Sequence, residues 1–282
     1  MAIRTDLTLE TVNRGKLSEG ITRTERGETF RVTEIFIESD AAGKSAGKRK
    51  GRYVTLEGKA LSRFSEDYEE MVHELAEELR GLVPEEGAVL VVGLGNNDIT
   101  PDALGPKAAC RVLATRHLFR ELEKEDYPEG LREVSVSFTG VLGQTGVETA
   151  EAVRALAEKI KPSAIIVIDA LACSEVSRLG ATIQLCNTGI SPGSGVQNSR
   201  KELSDITMGV PVIAVGVPTV VDMHTIAENI TGREPQENLP NMMVTPKDVD
   251  KLIENCSRLV ANAVNLALHE GMSIAEAELL TS

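Results

Sequence analysis

No tryptophan occurs in the 282 residues, and aromatic side chains make up only 3% of them. So thin a supply argues against the stacking platforms that bind bases or sugars. No apolar run approaches the length of a membrane span, and no charged-then-apolar leader opens the chain, so a cytoplasmic location without membrane attachment is expected. The four cysteines, Cys110, Cys173, Cys186 and Cys256, are widely spaced. Without a CxxC pair they support neither a disulfide framework nor a zinc knuckle, and reduced thiols are expected. There are four histidines and no HxxH or HxxxH pair among them. No histidine stands near Cys173 or Cys186 in the sequence, so neither a zincin nor a cysteine nucleophile is indicated. Positive charge is the scarcer sign, with 30 Lys and Arg against 43 Asp and Glu and a net charge of −13. That balance argues against nonspecific binding to nucleic acid.

What is present is an ordinary globular composition, 41% hydrophobic and 26% charged, in a chain long enough to bury a full core. The stretch from Ala88 to Pro106, AVLVVGLGNNDITPDALGP, organises the rest. Ala88 to Val92 is short, apolar and β-branched, as a buried strand is. Gly93 and Gly95 break it, and Thr100-Pro101-Asp102 supplies the start of a helix expected from about Gly105 to Leu118. In an open parallel sheet, the crevice beyond a strand's carboxyl end is where ligands bind.

Around that stretch, Gly20 to Glu38 and Arg52 to Leu56 alternate as strands, forming a small β element. Met1 to about Lys16 is expected to be a mobile arm. The Gly-, Ser- and Lys-rich segment Ser39 to Lys50 is expected to be a flexible loop. Between Lys44 and Arg52 stand five basic residues, predicting a solvated basic face or an electrostatic contact with an acidic peptide or a neighbouring subunit. Asp67 to Leu82 carries apolar residues at helical spacing. Val134–Phe138, Ala164–Ile168, Ala181–Leu185 and Val210–Val215 read as further strands, Val147–Lys161 and Pro246–Glu270 as helices. Alternating strands and helices predict an α/β fold with a central, mainly parallel sheet, helices on both faces and a small N-terminal β extension.

Two carboxylates stand at predicted strand ends, Asp102 after the first core strand and Asp169 after Ala164–Ile168. Their separation matches about two βα units, so adjacent strands would bring them together. Two close carboxylates cannot both ionise cheaply, and such a pair can share a proton, activate water and protonate a leaving amine. Helix capping by Asp102 and a loop contact by Asp169 would account for the same spacing. Gly93-x-Gly95 invites a dinucleotide reading, but the third glycine of GxGxxG would fall on Asp98, whose charge repels a pyrophosphate. Gly189 to Gly195 is a second glycine-rich loop, either a surface turn or a cradle for an anion or a peptide carbonyl. Asp102 and Asp169 with His224 would form a two-carboxylate, one-histidine metal site.

Several longer motifs carry a resemblance. Gly51-Arg52-Tyr53-Val54-Thr55-Leu56-Glu57, Gly93-Leu94-Gly95-Asn96 with Thr100-Pro101-Asp102-Ala103-Leu104-Gly105-Pro106, Gly143-Gln144-Thr145-Gly146 with Glu148, Ile168-Asp169-Ala170-Leu171-Ala172, and Cys186-Asn187-Thr188-Gly189-Ile190 running on through Pro192-Gly193-Ser194-Gly195 to Asn198 closely resemble the germination proteases of spore-forming bacteria. The resemblance extends from about Arg4 to about Asp222. It implies an atypical aspartic endopeptidase, free of metal and cofactor, that degrades small acid-soluble spore proteins in the spore core. It also implies that Asp102 and Asp169 are the catalytic pair, that the chain assembles as a homotetramer, and that it is made as a zymogen removing its own N-terminal propeptide. The match at Arg4-Thr5-Asp6-Leu7 places that cleavage near Asp6 and Leu7. Residues 1–6 would then be propeptide and 7–282 a single α/β protease domain, with its β extension at about 20–58 and its core at about 66–270. Asn96, Asn187 and the amides of Gly189, Gly193 and Gly195 are candidates for orienting substrate or oxyanion. Thr33-Glu34-Ile35 resembles the family's Thr-Glu-(Ile/Phe) cleavage context but lies in a predicted strand, where a structural role is expected. The family's fold resembles that of the hydrogenase maturation proteases, which supplies the alternative of a metal-dependent endopeptidase.

Overall fold

The structure is a computed structural model describing residues 5–12, 19–63, 65–127, 129–191, 201–233 and 241–281, the side chain of Lys124 excepted. The strands are β1 (Ile21–Arg26), β2 (Arg31–Ile37), β3 (Gly51–Glu57), β4 (Val89–Gly93), β5 (Val134–Phe138), β6 (Ala164–Cys173), β7 (Thr182–Cys186), β8 (Val212–Asp222) and β9 (Met243–Val244). The helices are α1 (Thr8–Val12), α2 (Asp40–Ala46), α3 (Tyr68–Arg80), α4 (Leu104–Ala109), α5 (Leu118–Glu121), α6 (Leu142–Thr145), α7 (Thr149–Ile160), α8 (Asp205–Met208), α9 (Met223–Thr231), α10 (Val249–Leu268) and α11 (Ile274–Thr281). The strands form one mixed sheet in the order β1-β2-β3-β7-β8-β6-β4-β5, with β9 on β8. Its centre is parallel, β5 to β4 to β6 to β8. The expected β extension is part of this same sheet, joined through antiparallel β3 on β7 and β7 on β8.

Period-two alternation divides the core into two layers. Val89, Val91, Ile166, Ile213 and Val215 face α3, α4 and α10, whereas Leu90, Val92, Ile165, Val167, Val212 and Ala214 pack with α7 on the other face. Strands covered on both faces read as continuous apolar runs, which is why they were visible in the sequence.

Four expectations are corrected. Thr5–Val12 is packed, with Leu7 and Leu9 fully buried, so no mobile arm exists over those residues. Ser39–Lys50 is not a flexible loop: Ser39 accepts from the Ala42 amide to cap α2, and Gly47, at φ +63°, ends it. Its basic residues are taken up internally. Lys48 donates to the Asp6 carbonyl, Arg49 pairs with Glu202 and Asp205, and Arg52 pairs with Glu34. Only Lys44 and Lys50 keep exposed side chains there. The helix expected over Gly105–Leu118 stops at Ala109, because the Asn265 carboxamide binds the Leu113 amide and the Arg111 carbonyl. The Thr115 hydroxyl then takes the Val134 amide and the Arg132 carbonyl and leads the chain into β5.

Candidate active site

The site forms where β4 ends and β6 does not. The two strands pair in parallel from Val89–Ala164 to Gly93–Ile168, and β6 runs five residues further beside β8. Asp169 is therefore not at a strand end, as its sequence context suggested, but at the first position past the end of β4. It is buried, opposite Gly216 in the β6–β8 ladder, and its Oδ1 accepts from the Ala170 amide at 2.9 Å.

Asp102 reaches the same place from the other side. After Gly93 the Leu94 amide donates to the Ile168 carbonyl at 2.8 Å, extending the β4–β6 contact by one bond. The chain then folds back, with Gly95 at φ +118°. A Cβ on Gly95 would overlap the Asp102 carbonyl oxygen, so only glycine allows this approach. Thr100–Asp102 forms a single 3-10 turn, closed by the Asp102 amide on the Ile99 carbonyl at 2.8 Å. Asp102 Oδ2 accepts from the Asn96 amide at 2.7 Å, tying the acid to the loop after β4. Thr219, buried on β8, donates its hydroxyl to the Pro101 carbonyl at 2.7 Å. Gly105 opens α4 directly against β6, where any side chain would overlap the Ile168 carbonyl. The turn carrying Asp102 is thus pinned to the residue preceding Asp169.

The remaining candidates divide. Asn96 belongs to the site: its backbone holds Asp102, and its Oδ1 accepts from the Asp98 amide and from Gln144. Asn187 does not. Its Oδ1 accepts from the Arg52 amide at 2.8 Å, and it follows Cys186, which lies opposite Ala214, on the side of the ladder away from Asp169. Gly189, at φ +78°, lines a cavity of about 260 Å³ that also includes Gly216 and Leu171. Gly193 and Gly195 lie outside the described residues, as do Arg4 and Asn198. Thr33-Glu34-Ile35 is in β2, where Glu34 pairs with Arg26 and Arg52.

His224 lies in the first turn of α9, buried behind Asp222, whose carboxylate caps that helix at the Thr225 amide. Among the described residues no three His, Cys, Asp or Glu side chains are grouped to hold a metal ion, so the Asp102–Asp169–His224 trio is not assembled. Nor is Cys173 poised as a nucleophile: burial and the nearby Glu10 push its thiol up to about 12, leaving it protonated at neutral pH.

Sequence reasoning missed Thr219, Gln144 and a third feature, the anchoring of Asp6. The Asp6 amide donates to the Ala172 carbonyl at 2.9 Å, and its carboxylate accepts from the Ala172 amide at 2.8 Å. Glu10, fully buried, accepts from the Ser174 amide and hydroxyl and the Glu175 amide, with Arg178 at 3.5 Å. Gln144 stands in the Gly143–Gly146 motif, which could have suggested it, but no local signal announces contacts spanning 166 residues.

A profile of the germination protease family matches residues 4–232. The chain belongs to the germination protease family. The Clostridium tetani germination protease is 39% identical, over 97% of this chain and 98% of its own length. The family protein of Bacillus subtilis is 36% identical over 96% of this chain and 94% of its own. The family is one of peptidases, so the reaction is hydrolysis of peptide bonds. Among solved structures, a [NiFe] hydrogenase maturation protease HycI from Thermococcus kodakarensis aligns at 15% identity with a TM-score of 0.37, covering 66% of this chain and 98% of that one.

Proposed function

We propose that this germination protease is an aspartic endopeptidase whose catalytic pair is Asp102 and Asp169, acting on small acid-soluble spore proteins in the spore core. The observation that supports it is the pinning of the Asp102 turn, through Leu94 and Gly105, against the residue before Asp169. One aspartate, ionised, takes a proton from water as that water attacks the scissile carbonyl. The other, protonated, hydrogen-bonds to the carbonyl oxygen and polarises it, and the proton taken from water passes to the leaving amine as the tetrahedral intermediate collapses. The pair titrates as a unit, so the roles belong to the pair. No metal enters this mechanism.

The proposal includes synthesis as a zymogen processed near Asp6 and Leu7 and assembly as a homotetramer. In the present conformation the Asp6–Leu7 bond lies against Ala172, three residues along β6 from Asp169, with Leu7 fully buried. At about 3.3 Å per strand residue that is roughly 10 Å, so processing requires this segment to leave its seat or to be cut by another copy.

The test is cleavage of a peptide containing Thr-Glu-Ile-Ala, with and without EDTA. Cleavage after the Glu that EDTA leaves unchanged supports the reading. Cleavage abolished by EDTA and restored by a divalent metal overturns it.

A further inference from the structure

Gln144 takes no part in the chemistry proposed above, yet its side chain reaches the loop that carries Asp102. Its turn, α6, follows β5, whose last residue Phe138 is level with Gly93 at the end of β4. Residues Leu142 to Val147 are all exposed, and a methyl group on Gly143 or Gly146 would touch nothing within 4 Å. The turn closes on itself through the Val141 and Leu142 carbonyls and the Thr145 hydroxyl. Among the described residues, the hydrogen bonds that leave Val141–Val147 for another part of the chain come from one group. Gln144 Nε2 donates to Asn96 Oδ1 at 2.8 Å and to Asp98 Oδ2 at 2.9 Å.

Both protons of that carboxamide are thus donated. Asn96 Oδ1 in turn accepts twice, from Gln144 and from the Asp98 amide at 2.9 Å, which fills its two lone pairs. Held in this way, Asn96 directs its own amide onto Asp102 Oδ2 at 2.7 Å. A chain of two links therefore runs from an exposed turn to the candidate carboxylate, and satisfied polar networks are rigid. Water could satisfy Asn96 Oδ1 without fixing where it lies. The same turn displays Leu142 and Val147, 40% and 45% exposed, and the loop it is tied to displays Ile99, 52% exposed. Apolar surface of this kind at the mouth of a site marks a place for a binding partner. Its continuity with Asp102, through Gln144 and Asn96, names the occupant as the peptide substrate.

We propose that Gln144 is a positioning residue of this peptidase. It fixes Asn96, and through the Asn96 amide the Asp102 carboxylate, and it fastens the turn carrying Leu142 and Val147 as a wall of the crevice that holds the peptide. The inference rests on the catalytic pair proposed above. Gln144 itself touches no reacting atom.

The experiment uses the full-length chain with Gln144→Met, Gln144→Lys, Leu142→Ser or Asp102→Asn. It reads hydrogen exchange at the Asn96 amide, kcat and KM for the Thr-Glu-Ile-Ala peptide, and Tm. Gln144 is exposed, so methionine removes two hydrogen bonds without touching the core, and Tm should stay within about 2 °C. Exchange at Asn96 should be about tenfold faster, and kcat about tenfold lower, as loosening of a catalytic group requires. Lysine, whose ammonium donates to the same two oxygens, should bring exchange and kcat back to within about threefold. Leu142→Ser should raise KM about threefold or more with little change in kcat. Unchanged Asn96 exchange in Gln144→Met, or full kcat there while Asp102→Asn is inactive, overturns the positioning role and leaves the pair intact. A loss that comes with a collapsed Tm, or that lysine does not recover, makes Gln144 a structural residue and overturns the role as well. An unchanged KM in Leu142→Ser overturns the wall. Faster exchange in Gln144→Met, with full activity both there and in Asp102→Asn, upholds the link from Gln144 to Asp102 and overturns the pair.

Discussion

Replacing Gly105 by alanine tests whether the approach of α4 to β6 sets the geometry of the pair. A methyl group at this position would stand 2.5 Å from the Leu94 nitrogen and overlap the Leu94 and Ile168 carbonyl oxygens, where ordinary contact begins at 3.4 Å. Each of these atoms belongs to backbone held in the β4–β6 ladder, so no flexible side chain can yield. The start of α4 must therefore retreat by about 1 Å, carrying Asp102 three residues upstream with it. Overpacking of this kind costs about 1–3 kcal/mol, which for a chain of this size lowers Tm by roughly 2–10 °C. Misplacing a catalytic group by about 1 Å costs on the order of 100-fold in rate. Gly105→Ala is thus expected to remain folded, by circular dichroism and a single cooperative melt, while kcat for the Thr-Glu-Ile-Ala peptide falls about 100-fold with KM little changed. A variant with full kcat and an unchanged Tm would refute the claim that this contact fixes Asp102 against β6.

Two further predictions concern stability. His269 is buried, its Nδ1 accepting from the Arg132 amide, and burial pushes its pKa down to about 4 from the usual 6.5. Between those values the unfolded chain binds the extra proton, so stability is complete above pH 6.5 and declines as pH falls toward 4, by about 3 kcal/mol in all. Denaturant melts from pH 7 to 4.5 should show this slope, and His269→Gln should flatten it; an equal slope in the variant would contradict the assignment. Glu10→Ala leaves the Ser174 and Glu175 amides without their carboxylate and should destabilise the protein by about 3 kcal/mol. Hydrogen exchange at Leu7–Val12 should accelerate accordingly, and unchanged protection there would show that Glu10 does not anchor the segment.

The strands were legible because burial on both faces imposes apolar runs on Ala88–Val92 and Ala164–Ile168, and one strand period is enough to reveal them. Asp102 and Asp169 stand out in the sequence as two acids beyond such runs. What escaped notice depended on distant partners. The overrun of β6 through Leu171 and Cys173 is stabilised by β8, and nothing local in Ala170–Cys173 distinguishes it from a loop. The termination of α4 depends on Asn265, and the fixing of Asp6 depends on Ala172, Lys48 and Gln184. Only α2 was a misreading of available signals, since Ser39 and Gly47 are ordinary helix-end residues obscured by the lysines around them.

The most direct measurement compares cleavage of the Thr-Glu-Ile-Ala peptide by Asp102→Asn, Asp169→Asn and the control Asp98→Asn, with Tm determined for each. The account predicts a loss of at least 1,000-fold in kcat for the first two, cooperative folding in all three, and activity within a few-fold of the unaltered protein for Asp98→Asn. Substantial cleavage by folded Asp102→Asn or Asp169→Asn would contradict it.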